Sequence, residues 1–124
     1  MTTLTLDTGA LIALERRRQR VVALVRTAHE AGALIVVPSV CVTEWWRGRT
    51  DVREDILDAT LVEHTDDALV KTAGAAIAEL PGAGCVDAIV MATAARRGGT
   101  LLTSDVDDML RLQAAFPSVR VLRV

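Results

Sequence analysis

Aromatic side chains are nearly missing from this chain, which has Trp45, Trp46, Phe116 and no tyrosine. A core built on aromatics is therefore excluded, and Ala, Val, Leu and Ile must fill it. Cysteine is equally scarce. Cys41 and Cys85 lie far apart, with no CxxC spacing and no histidine beside them. That fits two buried thiols in a reducing cytoplasm better than a disulfide or a zinc site. No apolar run reaches the length of a membrane span. The N-terminus, Met1 to Asp7, lacks the basic segment and apolar stretch of a secretory signal. The expectation is a soluble cytoplasmic protein with no membrane partner. An excess of basic charge is missing too: the net charge is −2. Whole-chain charge is a blunt measure, because an acidic site subtracts several units while another face stays positive.

The 124 residues suffice for one domain, residues 1–124, with a single core. A composition 51% hydrophobic and 24% charged argues for a globular fold rather than disorder. Thirteen of the 14 basic residues are arginine, Lys71 being the exception. Arginine suits bidentate phosphate contacts, although a GC-rich genome produces the same bias.

Strand and helix patterns alternate along the chain. Thr3–Leu6 reads as a strand, and Asp7-Thr8 opens a helix through Ala10–Leu14. After the arginine cluster at 16–18, Val21, Val22, Leu24 and Val25 give a second helix an apolar face, and Gly32 ends it. Leu34–Val37 is an apolar strand stopped by Pro38, with Ser39 expected to cap a helix running to about Arg49. A short helix at Asp51–Leu57 and a weak strand at Leu61–Glu63 follow. Asp66 or Asp67 caps a helix through Leu80, and residues 81–84 form an open loop. Val86–Arg97 is helical, Thr100–Thr103 a strand, Asp105–Ala115 a helix and Val119–Val124 a last strand. Continuously apolar strands between helices imply a mainly parallel sheet covered on both faces, an α/β/α sandwich.

Four acids stand where such a sheet binds ligands. Asp7 follows the first strand and Asp105 follows the strand at 100–103, and open parallel sheets take ligands beyond the carboxyl ends of their strands. Asp87 opens a largely apolar helix after a glycine loop, where a carboxylate needs a partner or a metal. Glu44 lies one turn into the helix after the second strand, next to Trp45 and Trp46. Taken singly, Asp7 and Asp105 also read as helix caps and Glu44 as a surface residue. Asp108 can share the helical face of Asp105, whereas Asp107 cannot. Thr8, Thr103 and Ser104 are placed either to hydrogen-bond these acids or to cap helices.

The segment Asp7-Thr8-Gly9-Ala10-Leu11-Ile12-Ala13-Leu14 resembles the opening motif of PIN domains. Glu44, the stretch Asp87-Ala88-Ile89-Val90-Met91-Ala92, and Leu101-Leu102-Thr103-Ser104-Asp105 match the remaining motifs in order. The resemblance spans essentially the whole chain and is best to the single-domain VapC-type toxins. It departs from the commonest pattern in the Asp105-Val106-Asp107-Asp108 segment, which leaves the parts of Asp107 and Asp108 open. It implies a PIN-like fold and a metal-dependent endoribonuclease that cuts single-stranded or loop RNA to leave 5′-phosphate ends. It also implies a homodimer and a VapB-like antitoxin partner.

Carboxylates without histidine or cysteine nearby select Mg²⁺ or Mn²⁺. Asp7, Glu44, Asp87 and Asp105 are the expected ligands and catalytic acids, with Asp108, Thr8, Thr103 and Ser104 as auxiliaries. Arg16, Arg17, Arg18 and Arg20 either track an RNA backbone or form a solvated helix face, the second reading being favoured for most of them. Trp45 and Trp46 suit core or dimer packing better than base stacking. A receiver domain would need a second acid after the first strand and a lysine near the last strands. A dehalogenase-type phosphatase would need an acid where Gly9 stands. No phosphate-binding GxxxxGK loop exists. A housekeeping PIN nuclease and a non-catalytic PIN module remain as alternatives to a toxin.

Overall fold

Strand β1 (Thr3–Leu6) is buried along its whole length, which is possible only if helices cover both faces of its sheet. It pairs in parallel with β2 (Leu34–Pro38) on one side and β4 (Thr100–Thr103) on the other. Outside these lie β3 (Leu61–Glu63), paired with β2, and β5 (Arg120–Arg123), paired with β4. The order is β3-β2-β1-β4-β5 and every pairing is parallel. The computed structural model describes residues 2–124, in which seven helices join these five strands.

Helices α1 (Thr8–Glu15) and α2 (Gln19–Glu30) connect β1 to β2, and α3 (Ser39–Trp45) and α4 (Asp51–Asp58) connect β2 to β3. The chain then crosses the sheet through α5 (Asp67–Glu79) and α6 (Cys85–Arg97) to β4, and reaches β5 through α7 (Val106–Leu112). Right-handed crossovers that first step one way from β1 and then the other put α1–α4 on one face and α5–α7 on the opposite face. The helix contacts divide in the same way: α1 touches α2, α3 and α4, while α6 touches α5 and α7. The result is the expected α/β/α sandwich. Its strand order reverses direction between β1 and β4, which opens a crevice at their carboxyl ends.

Leu4, Leu6, Leu101 and Leu102 from the strands meet Leu11, Val90, Met91, Met109 and Leu112 from the helices in the core. Each aliphatic side chain withdrawn from water in this way contributes about 1.5–3 kcal/mol. Methionine and the buried Trp45 join the four aliphatic types expected to fill it.

Several local expectations need correction. Ser39 does not cap α3. Strand β2 runs straight into the helix, so Pro38 takes the cap position with no side-chain acceptor and Ser39 is already helical. The helix leaves helical geometry at Trp46, with ψ at 125°, well short of Arg49. Gly48 at φ 106° turns the chain there. Helix α7 is shorter than Asp105–Ala115, because Asp105 is its cap and residues 113–115 form a turn. Strand β5 is one residue shorter at each end than expected. Cys41 is buried, but Cys85 is exposed because it opens α6 beside the surface loop at 81–84. Among the described residues no helix is long and apolar enough to cross a membrane.

Candidate active site

Asp7 leaves β1 at the crevice and caps α1 by accepting the Ala10 N–H on Oδ1 at 2.8 Å. Its Oδ2 accepts the Thr103 hydroxyl, and Thr103 Oγ1 in turn accepts the Asp105 N–H at 2.8 Å. One threonine at the end of β4 thus ties the acid after β1 to the backbone of the acid after β4. Asp7 is only 5% exposed. Burial pushes its carboxyl above the usual range, against the Thr103 and Ala10 hydrogen bonds and with help from the Asp105 charge. The capping and hydrogen-bonding readings of these residues therefore hold together.

Asp87 stands in the first turn of α6, on the other wall. Burial, followed by the charges of Asp105, Asp108 and Asp7, pushes it up to about 6. No ion pair or backbone hydrogen bond to its carboxylate is found among the described residues, so it is neither a helix cap nor half of a salt bridge. Asp105 is likewise raised, by desolvation and by its neighbours Asp108 and Asp107. Its carboxylate makes no cap bond to α7. Asp87, Asp105 and Asp108 each offer one carboxylate oxygen within 4.8 Å of the others. Asp108, expected as an auxiliary, thus lies beside Asp87 and Asp105, although it does not line the cavity described below. The signal was its three-residue offset from Asp105, one helical turn on.

Glu44 reaches the same crevice from α3. Its Oε1 accepts the Thr8 hydroxyl at 2.6 Å, so the first and third helices are latched at the rim. Beneath them the Cys41 thiol is fully buried and pushed up to about 12, chiefly by desolvation, so it stays protonated. Asp7, Thr8, Glu44, Asp87, Ser104 and Asp105 all line one cavity of about 240 Å³. Asp7 and Glu44 face it from outside the tight trio. Ser104 packs on Gly9, where an added Cβ would lie 2.6 Å from the Ser104 Cβ and closer still to its Oγ. Trp45 is buried and meets Trp46 edge to face, with ring centroids 6.2 Å apart. His29 lines a separate apolar groove on the far side of α2, and neither it nor His64 lines this cavity.

The donor set is thus carboxylate oxygen only, with a protonated thiol and no imidazole. Such oxygens suit a hard divalent cation. Asp87, Asp105 and Asp108 are the residues that would hold it.

The sequence pattern of the PIN domain matches residues 4–114. No curated protein matches significantly. Among solved structures, one described as VapBC2 from Rickettsia felis bound to a promoter DNA fragment superposes with a TM-score of 0.79 at 12% identity, covering 98% of each chain. The DNA-bound VapBC of Salmonella typhimurium gives 0.77 at 17% identity, covering 99% of this chain and 98% of that one. A toxin–antitoxin complex from Klebsiella pneumoniae gives 0.67 at 20% identity, covering 94% of each. At such identities these likenesses speak for the fold. The match over most of the length, with the crevice and its acids, makes this chain a member of the PIN domain family.

Proposed function

We propose that residues 1–124 form one metal-dependent endoribonuclease domain, acting as the toxin of a VapBC-type pair. The observation that carries the nuclease reading is the convergence of Asp87, Asp105 and Asp108, with Asp7 and Glu44 beside them, at a strand crossover. Asp7, Glu44, Asp87, Asp105 and Asp108 would hold Mg²⁺ or Mn²⁺. When bound, a divalent ion offsets charge on a phosphodiester and draws a proton from water.

The residues themselves do the positioning. Thr103 fixes Asp7 and the Asp105 backbone relative to each other, and Thr8 fixes Glu44. Asp87, its carboxyl raised to about 6 by burial and by the charges of Asp105, Asp108 and Asp7, is the acid that a bound cation would relieve most. Single-stranded or loop RNA is the substrate that membership of the PIN domain family suggests. The toxin reading, with a VapB-like antitoxin as partner, is supported by the three superposing complexes named above, and a homodimer belongs to the same proposal.

Purified protein should cut single-stranded RNA in Mn²⁺ or Mg²⁺, stop in excess EDTA, and leave 5′-phosphate and 3′-hydroxyl ends. Cleavage that persists in EDTA, or 2′,3′-cyclic phosphate ends, counts decisively against the nuclease mechanism. Expression of the chain alone should arrest growth, and co-expression of its antitoxin should relieve the arrest. Harmless expression of an active nuclease in its native host, with no antitoxin present, would leave a housekeeping nuclease in place of the toxin.

A further inference from the structure

Next to the acidic cavity lies a second one of about 460 Å³, lined by Arg16, Arg18 and Arg20. The two share Gly9 and Ser104, which form a low saddle between them. Nothing larger than glycine fits at position 9 without displacing Ser104. The arginines reach this side because of one backbone feature. Arg17, at φ 56°, takes the left-handed conformation that ends α1, with its N–H bonded to the Leu14 carbonyl and the Arg18 N–H to the Ala13 carbonyl. That residue splits the run of three arginines. Arg17 lines the groove beside α2 together with Arg26, while Arg16 and Arg18 line the cavity across the saddle from the acids. A non-glycine residue in this conformation costs about 1 kcal/mol, and such strain gathers where geometry serves function.

Arg20 is anchored, its Nε donating to the Arg123 carbonyl at 2.9 Å. None of the ion pairs found among the described residues involves Arg16, Arg18 or Arg20. These three arginines line the cavity together with Ile12, Ala13, Val21 and Val124, and guanidinium groups so placed suit a phosphate, which they grip in bidentate fashion. The cavity opens beside the uncapped N-terminus of α2, where Arg18 makes no side-chain cap bond, so the helix dipole favours negative charge there as well.

We propose that this arginine cavity holds a second phosphate of the RNA strand, next to the one at the carboxylates, with the backbone crossing the Gly9–Ser104 saddle. The inference rests on the nuclease reading and adds a direction to it: the strand runs from the acids toward the α1–α2 turn. Negative and positive cavities side by side then fix the path of the backbone and disfavour a linkage at a strand end, which has no second phosphate to place across the saddle.

The test compares two double variants of equal charge. Arg16→Gln with Arg18→Gln empties the cavity of its mobile cations and leaves the anchored Arg20. Arg17→Gln with Arg26→Gln removes the same charge from the other side of α2. All four residues are exposed, and melting curves check that both variants fold. Binding is read by anisotropy of a fluorescein-labelled single-stranded oligoribonucleotide in EDTA over a range of salt concentrations. The first variant should bind roughly tenfold or more weakly, and its plot of log K against log salt should flatten by about 1.4, the loss expected for two phosphate contacts on a single strand. The second should stay near wild type. Equal losses in the two variants would mean a diffuse field rather than a site, and would overturn the proposal. Unchanged binding by the first variant, while wild type cleaves RNA in Mn²⁺, would sink the arginine cavity alone. A wild-type protein that neither binds nor cleaves RNA would sink the nuclease reading and this inference together.

Discussion

An Asp87→Asn protein should lose RNA cleavage by roughly a hundredfold or more and yet, in EDTA, melt at or above the wild-type temperature. Most substitutions at a half-buried, first-turn helix position destabilise. Here the carboxylate has no cation and no backbone donor to lose, and its neighbours Asp105, Asp108 and Asp7 repel it. Asparagine keeps the shape and removes that repulsion. The sign of the pH dependence follows. In the folded protein Asp87 is raised to about 6, while an unfolded aspartate titrates near 3.9. The folded state holds this proton more tightly, so its contribution to stability is complete below the unfolded value and is lost as pH climbs toward 6. Asp7 and Asp105, also raised, act in the same direction, and the exposed Asp66, lowered chiefly by the Leu69 N–H and then by Arg96, acts in the opposite one.

The advantage of Asp87→Asn in EDTA should therefore be clear at pH 7 and vanish near pH 4. Mn²⁺ should reverse the ranking. A ligand at a hundred times its dissociation constant adds about 2.7 kcal/mol, roughly 10 °C at this size, and wild type should gain it where the variant does not. A metal-free Asp87→Asn protein that melts clearly below wild type at pH 7 would end the clustered-acid reading.

The positions of these acids were largely legible in the sequence, because local rules govern them. Asp7 and Asp105 follow apolar strands, and the positions of strand ends in a parallel sheet dictate a shared crevice. Leu34–Val37, apolar throughout, and the Leu101-Leu102 pair carried the parallel sheet. What stayed hidden depends on packing between distant segments. Asp108 joins Asp87 only because α7 lies against α6, and nothing in either helix announces the other. Two local misreadings have local causes. The run Glu44 to Arg49 has a helical composition, but the chain turns extended at Trp46, and Gly48 at positive φ keeps the helix from resuming. The adjacent residues Arg16, Arg17 and Arg18 read as one cluster, and a single left-handed residue sends them to two different surfaces.

Gly9→Ala should also be far more damaging than its size suggests. Position 9 is helical and its φ is ordinary, so propensity alone favours alanine by about 1 kcal/mol. Against that stands a Cβ only 2.6 Å from the Ser104 Cβ, a clash that no side-chain rotation relieves. The turn from Ser104 to Asp105 must move. Overpacking of this kind costs about 1–3 kcal/mol, roughly 5–15 °C in melting temperature. A displacement near 1 Å at Asp105 should cut cleavage by about a hundredfold as well. Gly74→Ala in α5 is the matched control. Its Cβ would meet nothing within 4 Å, so it should raise stability by up to about 1 kcal/mol and leave cleavage alone. Equal melting temperatures and equal rates for the two variants would show that the saddle tolerates a side chain.

The bond between Thr103 and Asp7 spans 96 positions along the chain, and that separation bears on the timing of biosynthesis. Central β1 is made before the other four strands, but its neighbour β4 follows only after both crossovers on one face and α5 and α6 on the other. Pairings between such distant segments form late, because loop closure must be achieved before the contacts reward it. Asp7 has neither Thr103 nor Asp105 to meet until β4 has been made, and Asp108 is later still. A nascent chain consequently holds no complete carboxylate cluster before α7 has left the ribosome.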